Sequence, residues 1–352
     1  MVQFSFRWYG DDDPVTLERI AQIPVVTGIV GALFDIPPGQ VWPSDRILAL
    51  RKSVEDKGFS LSAIESIPVH EDIKLGLRGT RDAYIDAFCE SVRNMGRAGV
   101  GVLCYNFMPL FDWVRTDLAM RLPDGSTCLS YDHDAISGMN LFSWGKSLPA
   151  WIFSYGEEEM PRLVDAYRDM GEEGVWENLR YFLERVVPVA EEAGVRMGIH
   201  PDDPPWPVFG VPRIITCEAA LERMLSLADS PNNGLALCSG SFGVSRDNDL
   251  PEIIRRFGKR IHFAHVRNVK ILEGRDFHES AHPSACGSLD IFEIMKAYHD
   301  VGFSGPMRPD HGRMIWGETG KPGYGLYDRA LGIMYLAGLW EAIGKEAAGE
   351  GR

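Results

Sequence analysis

The sequence predicts an α/β protein and, within that class, a (β/α)8 TIM barrel. Short runs of apolar and β-branched residues alternate with longer segments of helical period, which is typical of parallel strands joined by crossover helices. About eight such runs can be counted, the number that closes this barrel, and the 352 residues exceed the ~250 that a barrel needs. Four of the runs end in a strong metal ligand, which indicates an active site at one end of the barrel.

The predicted strands are distributed along the whole chain. In order they are Gln3–Trp8, Gly28–Phe34, Ser60–Ser66, Gly101–Phe107, Arg196–His200, Gly234–Cys238, Ile261–Val266 and Met307–Asp310. Helical signals lie between them: Ser44 opens one helix, Gly58 can close it in a left-handed conformation, and Thr80 opens another with a single apolar stripe. Further segments of helical period are Leu179 to Ala193, Glu218 to Leu227, Asp290 to Val301 and Ala330 to Ile343.

Residues beyond a minimal barrel are expected in loops, and the longest loop follows the fourth strand. It runs from Met108 to Pro149 and contains Leu-Pro-Asp-Gly-Ser-Thr, in which Asp-Gly favours the tight turn of a hairpin. Loops that follow strands emerge at the carboxyl end of the barrel, where active sites of this fold are built. We therefore expect one barrel domain over residues 1–352, with 108–149 as an insertion at the active-site face.

The ligands at the strand ends are two imidazoles, a thiolate and a carboxylate. They belong to His200, Cys238, His265 and Asp310, and His311 follows directly. Consecutive strands would carry them, so the four side chains should converge on one part of the rim. This set suits a divalent first-row metal. An ion that accepts five or six ligands could still bind substrate there, as Mn²⁺ and Fe²⁺ do more readily than Zn²⁺, although the thiolate alone favours a softer ion.

Each of these residues has a simpler interpretation when taken alone. An isolated histidine is more often a core residue, Cys238 would be a small buried apolar side chain, and Asp310 could cap the next helix. The coincidence of type and position on four strand ends favours the metal site. His262 lies three residues before His265 and faces the other side of the strand, so we expect it to be structural.

Composition and charge argue against several functional classes. The formal net charge is −14 and the pI about 5.1, which disfavours nucleic acid as a partner. No apolar run approaches the ~20 residues that cross a bilayer, and the first residues lack a signal-peptide pattern. The six cysteines form no CxxC pair, so we expect reduced thiols and a cytoplasmic protein. The sequence lacks a phosphate-binding glycine loop and a GxSxG elbow, which disfavours nucleotide binding and serine hydrolysis.

Six stretches of the sequence together resemble one known family. They are FRWYG, GALFDIPPGQVW, LCSGS, HVRN, RPDHG and PGYGLYDRALGIMYLAGLWEA. The chain resembles the D-mannonate dehydratases of hexuronate degradation from its first strand to its last helix. The resemblance implies a barrel of the xylose-isomerase-like group that converts D-mannonate to 2-dehydro-3-deoxy-D-gluconate and water, using Mn²⁺ or Fe²⁺. The family's ligand positions fall on the four strand-end residues, and relatives imply a homo-oligomer, a dimer or larger.

The implied reaction suggests roles for further residues. Removing a weakly acidic proton from C2, beside a carboxylate, requires positive charge near that carboxylate. Arg308 is the first candidate for binding the sugar acid and Arg7 the second. His311 and Tyr324 are the candidates for proton transfer, with Tyr327 as the substitute for Tyr324. Which of the pair removes the proton and which protonates the leaving hydroxide stays open, as do structural roles for both.

Two other functions remain compatible with these residues. A sugar isomerase or epimerase on the same barrel would also abstract a proton beside a metal-bound oxygen, although the thiolate ligand and the RPDHG motif weigh against it. A barrel with a structural metal and a purely binding role is the third possibility. Loss of one water from the substrate distinguishes the first two functions.

Overall fold

A computed structural model of the chain describes residues 2–138 and 159–349. Within this part, eight strands form a closed barrel in the order β1-β12-β9-β8-β7-β4-β3-β2, and neighbouring strands are parallel. In chain order the strands are β1 (Gln3–Arg7), β2 (Gly28–Gly31), β3 (Ser60–Glu65), β4 (Val102–Tyr105), β5 (Asp117–Arg121), β6 (Thr127–Tyr131), β7 (Arg196–Ile199), β8 (Asn233–Cys238), β9 (Ile261–His265), β10 (Val269–Ile271), β11 (Phe277–Glu279) and β12 (Pro306–Arg308). The predicted (β/α)8 barrel is confirmed.

Helices connect the barrel strands and cover the outside of the barrel. They are α1 (Leu17–Ile20), α2 (Ser44–Glu55), α3 (Glu71–Lys74), α4 (Arg81–Arg97), α5 (His133–Gly138), α6 (Glu159–Ala193), α7 (Glu218–Leu227), α8 (Ser239–Gly243), α9 (Leu250–Phe257), α10 (Ile291–Asp300) and α11 (Leu326–Gly349). The segment α6 contains a kink at Gly171, whose φ is 67°. Among the described residues, no helix has the length and apolar character needed to span a membrane.

Helix α9 illustrates how local sequence produces these elements. The Asp249 carboxylate accepts a hydrogen bond from the backbone N–H of Glu252 and caps the helix, and Pro251 lies in the first turn. Leu250, Ile253, Ile254 and Phe257 are all buried. Their spacing of three, one and three residues places them on one face, which packs against the barrel.

The barrel strands are covered on both faces, as is typical of parallel sheets. All residues of β8 and β9 are buried. A small apolar cluster that includes Ala236 and Phe263 fills the barrel interior, and the larger core lies between strands and helices. Side chains alternate along a strand, so His265 shares the inner face with Phe263 while His262 takes the outer face. The expected orientation of His262 is confirmed.

A second, antiparallel sheet lies beside the barrel mouth and is called here the accessory sheet; its order is β10-β11-β6-β5. Strands β5 and β6 form the predicted hairpin, in which Gly125 adopts a φ of 86° and its N–H donates to the carbonyl of Leu122. Strands β10 and β11, which follow β9, extend it. The sequence did not predict these two strands. Residues 139–149 of the predicted insertion lie outside the described residues.

Candidate metal centre and active site

The four strand-end ligands converge at the carboxyl end of the barrel. One ligand atom from each of His200, Cys238, His265 and Asp310 lies within 4.8 Å of the others. The strand register explains this proximity, because Cys238 of β8 and Arg308 of β12 both pair with His265 of β9. Asp310 follows two residues after Arg308, and its Oδ2 lies 3.3 Å from Sγ of Cys238.

Two of these ligands are held in the protonation states that bind metals. Burial and the charge of Arg308 lower the pKa of His265 well below its usual value, which leaves a neutral imidazole. Burial opposes ionisation of Asp310, but the charges of Arg308 and Arg267 act against burial and hold the pKa of that carboxyl well below its usual range. A neutral imidazole and an ionised carboxylate are the forms that coordinate a divalent cation.

The other two candidate ligands, His200 and Cys238, are joined by a hydrogen bond. Burial favours neutral His200, but its hydrogen bond with Cys238 and the charge of that thiolate outweigh burial and raise the pKa of His200 to about 9. The backbone N–H of Ser241, in the first turn of α8, donates to Sγ of Cys238 at 3.4 Å. The thiolate is the form of a cysteine side chain that ligates metals.

The donor set fits a divalent metal ion. Ligands 2.0–2.3 Å from one ion lie at most ~4.5 Å apart, close to the observed spread. Among residues 2–138 and 159–349, no hydrogen-bond partner is found for the buried Nε2 of His265. A second group, formed by Glu65, Cys104 and the same His265, also has its ligand atoms within 4.8 Å of one another. However, the Glu65 carboxylate is held by Arg308, at 2.7 and 3.1 Å.

His311 and Tyr324, both predicted for proton transfer, are in direct contact. Nε2 of His311 lies 2.8 Å from the Tyr324 hydroxyl, and Nδ1 lies 3.3 Å from Oε1 of Glu279. Burial opposes ionisation of Glu279, but Arg267 and His311 outweigh it and lower its pKa to about 2. An ionised carboxylate only accepts hydrogen bonds, so Nδ1 must donate to it. Nε2 of a neutral His311 then accepts from the hydroxyl of Tyr324.

Tyr324 is suited to hold its proton. Burial raises the pKa of its phenol well above the usual value, and the nearby Tyr9 and Asp310 act in the same direction. Arg329 of α11 donates to the carbonyls of Tyr324 and Gly325, and so fixes the backbone that carries the phenol. The pair therefore combines a proton acceptor at His311 with a protonated phenol beside it.

A buried cluster of charges connects this pair to the metal ligands. Arg267 donates to Asp310 at 2.9 Å, to Glu279 at 2.5 Å and to Asp203 at 2.7 Å. Arg115 pairs with the same two carboxylates, Asp203 at 2.7 Å and Glu279 at 2.9 Å. Glu279 lies on β11 and Arg115 follows β4, so the accessory sheet helps to orient His311.

Sequence reasoning missed this cluster for different reasons. Arg267 lies two residues after His265 within the HVRN motif, and this same-face spacing was an available signal. Glu279 gave no signal, because β11 is only three residues long and was not expected. Glu65 was also missed, although it ends β3 at the barrel mouth.

A cavity of about 590 Å³ opens beside the ligands and is closed on one side by the loop before α11. Its lining includes most of the predicted site residues, namely Arg7, His200, Arg308, Asp310, His311 and Tyr324. Cys238 and His265 lie beneath it and are fully buried. Tyr327 lies elsewhere: its side chain is 41% exposed and packs against Trp316.

The two arginines predicted to bind substrate differ in their surroundings. Arg308 is in ion pairs with Glu65 and with Oδ1 of Asp310, the latter at 2.8 Å. Its charge is therefore largely offset by protein carboxylates. Arg7 donates to the carbonyl of Val30, and its guanidinium lies 4.8 Å from the ring centre of Tyr9.

Comparison with known proteins agrees with this geometry. The family model described as D-mannonate dehydratase (UxuA) matches residues 2–350. A mannonate dehydratase of Streptococcus uberis is 55% identical over 348 residues, which cover 98% of this chain and 100% of that protein. The crystal structure of mannonate dehydratase from Streptococcus suis serotype 2 superposes with a TM-score of 0.92 at 48% identity, covering 99% of this chain and 96% of that one.

A more distant structure agrees in fold alone. A xylose isomerase domain protein from Planctomyces limnophilus has a TM-score of 0.56 at 12% identity, covering 97% of this chain and 98% of that one. The predicted relation to xylose-isomerase-like barrels is confirmed at the level of architecture. Because the family model and the relative of 55% identity both span nearly the whole chain, the chain belongs to the D-mannonate dehydratase family.

Proposed function

We propose that the protein is a metal-dependent hydro-lyase of hexuronate catabolism, which converts D-mannonate to 2-dehydro-3-deoxy-D-gluconate and water. Family membership over residues 2–350 supports the substrate and the reaction. The observation that carries the chemistry is the position of the His311–Tyr324 pair, which lines the same cavity as the metal ligands His200 and Asp310. A base, an acid and a cation site around one cavity are what an elimination next to a carboxylate requires.

His200, Cys238, His265 and Asp310 would hold the ion, and we propose Mn²⁺ or Fe²⁺. Both ions accept more than four ligands, which would leave positions for substrate oxygens. When bound, such an ion supplies Lewis acidity that stabilises negative charge on the substrate's carboxylate while C2 loses its proton. Since the thiolate and Asp310 together offset the charge of a divalent cation, further positive charge has to come from other side chains.

His311 is the proposed base and Tyr324 the proposed acid. Nε2 of His311 takes the proton from C2, the C3–O bond breaks, and Tyr324 donates its proton to the departing hydroxide to form water. Proton transfer from His311 to the phenolate across their hydrogen bond then restores the pair. The enol that remains between C2 and C3 becomes the ketone when C3 takes up a proton and the C2 hydroxyl loses one. Each of the two groups contributes about 10²–10⁴-fold.

Arg308 interacts mainly with carboxylates of the protein and less with the substrate. Its ion pairs with Glu65 and Asp310 hold the carboxylate of Asp310 in place and offset part of its charge. Arg7 contacts aromatic rings at the cavity wall and is the better placed of the two for contact with a sugar acid.

The function is tested with purified protein and D-mannonate. We expect a product lighter by one water, loss of activity after chelation, and recovery on adding Mn²⁺ or Fe²⁺ with ion content measured by mass spectrometry. A panel of C2 and C3 epimers of the hexonate serves as the control for specificity. Absence of dehydration for every hexonate with the metal-loaded protein would refute the proposal, and an isomeric product of unchanged mass would favour an isomerase.

We further propose one domain over residues 1–352, with 108–149 as an insertion at the active-site face, and a cytoplasmic homo-oligomer. The pairing of β6 with β11 supports the first point, because it joins the insertion to a segment that follows β9. Unpaired cysteines support a reducing compartment. Light scattering after size-exclusion chromatography tests the oligomer, and a monomer at micromolar concentration would contradict it.

A further inference from the structure

Protein carboxylates pair with two of the cationic side chains that line the cavity. Arg308 is engaged by Glu65 and Asp310, and Lys74 by Glu71 at 2.6 Å. A sugar acid that enters the cavity carries one negative charge, and a site whose metal charge is offset by its own ligands needs another cation to attract it. Two further cationic side chains of the described residues line the cavity, Arg7 and Lys321.

Lys321 lies on the loop before α11, in the same turn as Tyr324. The backbone N–H of Tyr324 donates to the carbonyl of Lys321 at 2.9 Å, which fixes the lysine relative to the phenol. Its Nζ lies 4.0 Å from the ring centre of Tyr9, whose ring also contacts the guanidinium of Arg7 and the ring of Tyr324. Tyr9 therefore holds two cations beside the proposed acid.

The surroundings of Lys321 make its charge responsive to an anion. Burial and the charge of Arg7 lower the pKa of Lys321 to about 7, while Asp112 and Asp13 act in the opposite direction. Among the described residues, the phenol rings of Tyr9 and Tyr324 also face it. An anion bound nearby would stabilise the ammonium form and raise this pKa again.

We propose that Lys321, together with Arg7, binds the negatively charged sugar acid and selects acids over neutral polyols of the same length. This inference rests on the proposed function, since it specifies how the substrate of that reaction is recognised. Lys321 is a binding residue in this role. His311 and Tyr324 remain the proposed base and acid.

The first test is the pH dependence of turnover by the Mn²⁺-loaded protein. In the enzyme without substrate, Lys321 loses its charge as the pH rises through about 7, so kcat/KM for D-mannonate should fall above that pH. In the complex the anion raises the pKa, so kcat should fall only at higher pH. In Lys321→Arg this alkaline fall of kcat/KM should disappear, because a guanidinium stays charged throughout. A fall that persists unchanged in Lys321→Arg would overturn the proposal.

The second test measures how much kcat/KM falls when the charge of Lys321 is removed. Lys321→Met keeps the length of the side chain and should lower kcat/KM about 10- to 100-fold at pH 6, mainly through KM, as expected for one charge-assisted contact. Lys259→Met is the matched control, because Lys259 is exposed and precedes β9 at the opposite end of the barrel. Equal values for Lys321→Met and the wild type would contradict the proposal.

Calorimetry separates this inference from the proposed function. In the Mn²⁺-loaded His311→Asn variant, which lacks the proposed base, D-mannonate should bind with uptake of a proton near pH 7.5 and more weakly at pH 8.5. D-mannitol should bind with neither proton uptake nor this pH dependence. The double variant His311→Asn/Lys321→Arg should bind D-mannonate without proton uptake. If the wild type does not dehydrate D-mannonate, the proposed function fails, and the binding measurements still decide the role of Lys321. Binding of D-mannitol as tight as D-mannonate would overturn that role.

Discussion

The two halves of the barrel mouth contribute different chemistry. Strands β7, β8, β9 and β12 end in or next to the four ligands, whereas β1 and β3 end in Arg7 and Glu65. Arg308 bridges the halves, because its guanidinium reaches Glu65 from β12. One half therefore carries the candidate metal ligands, and the other half carries Arg7 and Glu65.

The largest expected effect separates two thiols, Cys238 among the candidate ligands and Cys104 inside the barrel. Cys238→Ser should lose the bound ion and more than ~100-fold of the activity, since even partners of metal ligands contribute 10- to 100-fold. Cys104 belongs to the apolar cluster inside the barrel, and burial raises the pKa of its thiol well above the usual value. Cys104→Ser should keep the ion. Metal analysis after desalting measures the ion content of both variants. Loss of the ion in Cys104→Ser alone would place the metal site in the alternative group of Glu65, Cys104 and His265.

The next effect concerns proton transfer without metal loss. His311→Asn and Tyr324→Phe should each lower kcat by about 10²–10⁴-fold while metal content and thermal unfolding stay close to wild type. Because the two groups act through one hydrogen bond, the double variant should lose far less than the product of the two single losses. Tyr327→Phe is the matched control, since Tyr327 is exposed. Fully multiplicative losses would contradict a coupled pair.

A smaller effect is expected from the other half of the mouth. Glu65→Gln removes the charge that pairs with buried Arg308, and the free energy of unfolding should fall by about 3 kcal/mol. The ion should remain, because Glu65 is outside the proposed ligand set. The control is Asp35→Asn at the same rim, whose pair with Arg46 is exposed and should matter little. Denaturant unfolding distinguishes them, and equal stabilities for both variants would show that Arg308 does not depend on Glu65.

The smallest effect lies at the other end of β9. Burial and the charges of Arg196 and Arg260 lower the pKa of His262 from 6.5 to about 3, so the native state holds it neutral. Between these values the unfolded chain binds a proton that the folded protein does not, and stability is lost as the pH falls, by at most about 1.4 kcal/mol per pH unit. His262→Phe should remove this part of the slope between pH 6 and 4 without changing activity at neutral pH. An unchanged slope would contradict a buried neutral His262.

Much of the fold could be predicted because barrel strands have a strong local signal. Runs such as Leu235 to Cys238 are buried on both faces and so are continuously apolar, and Asp-Gly at 124–125 specifies a turn by its own conformational preference. Strands β10 and β11 escaped prediction because each has only three residues. Strand β10 pairs with β11, and β11 pairs with β6 of the insertion, which is far away in the chain.

The convergence of the four candidate ligands could be predicted from sequence alone, because parallel strands of one barrel bring their carboxyl ends to the same rim. The pairing of His311 with Tyr324 could be proposed but not its geometry. Three contacts determine this geometry: the hydrogen bond between the pair, the hydrogen bond of His311 with Glu279, and the position of Lys321 over Tyr9. Each contact joins residues that are apart in the sequence and come together only when the chain folds.

By itself, the sequence determined the barrel, its strand order along the chain and the residue types at the carboxyl ends, because periodicity and strand-end position are local properties. The tertiary structure alone decided which charges neutralise one another. Arg308 is offset by Glu65 across the mouth, whereas Arg7 and Lys321 face the cavity around one tyrosine. Electrostatic energy depends on distance through space and on burial, and neither is encoded in any single stretch of the chain.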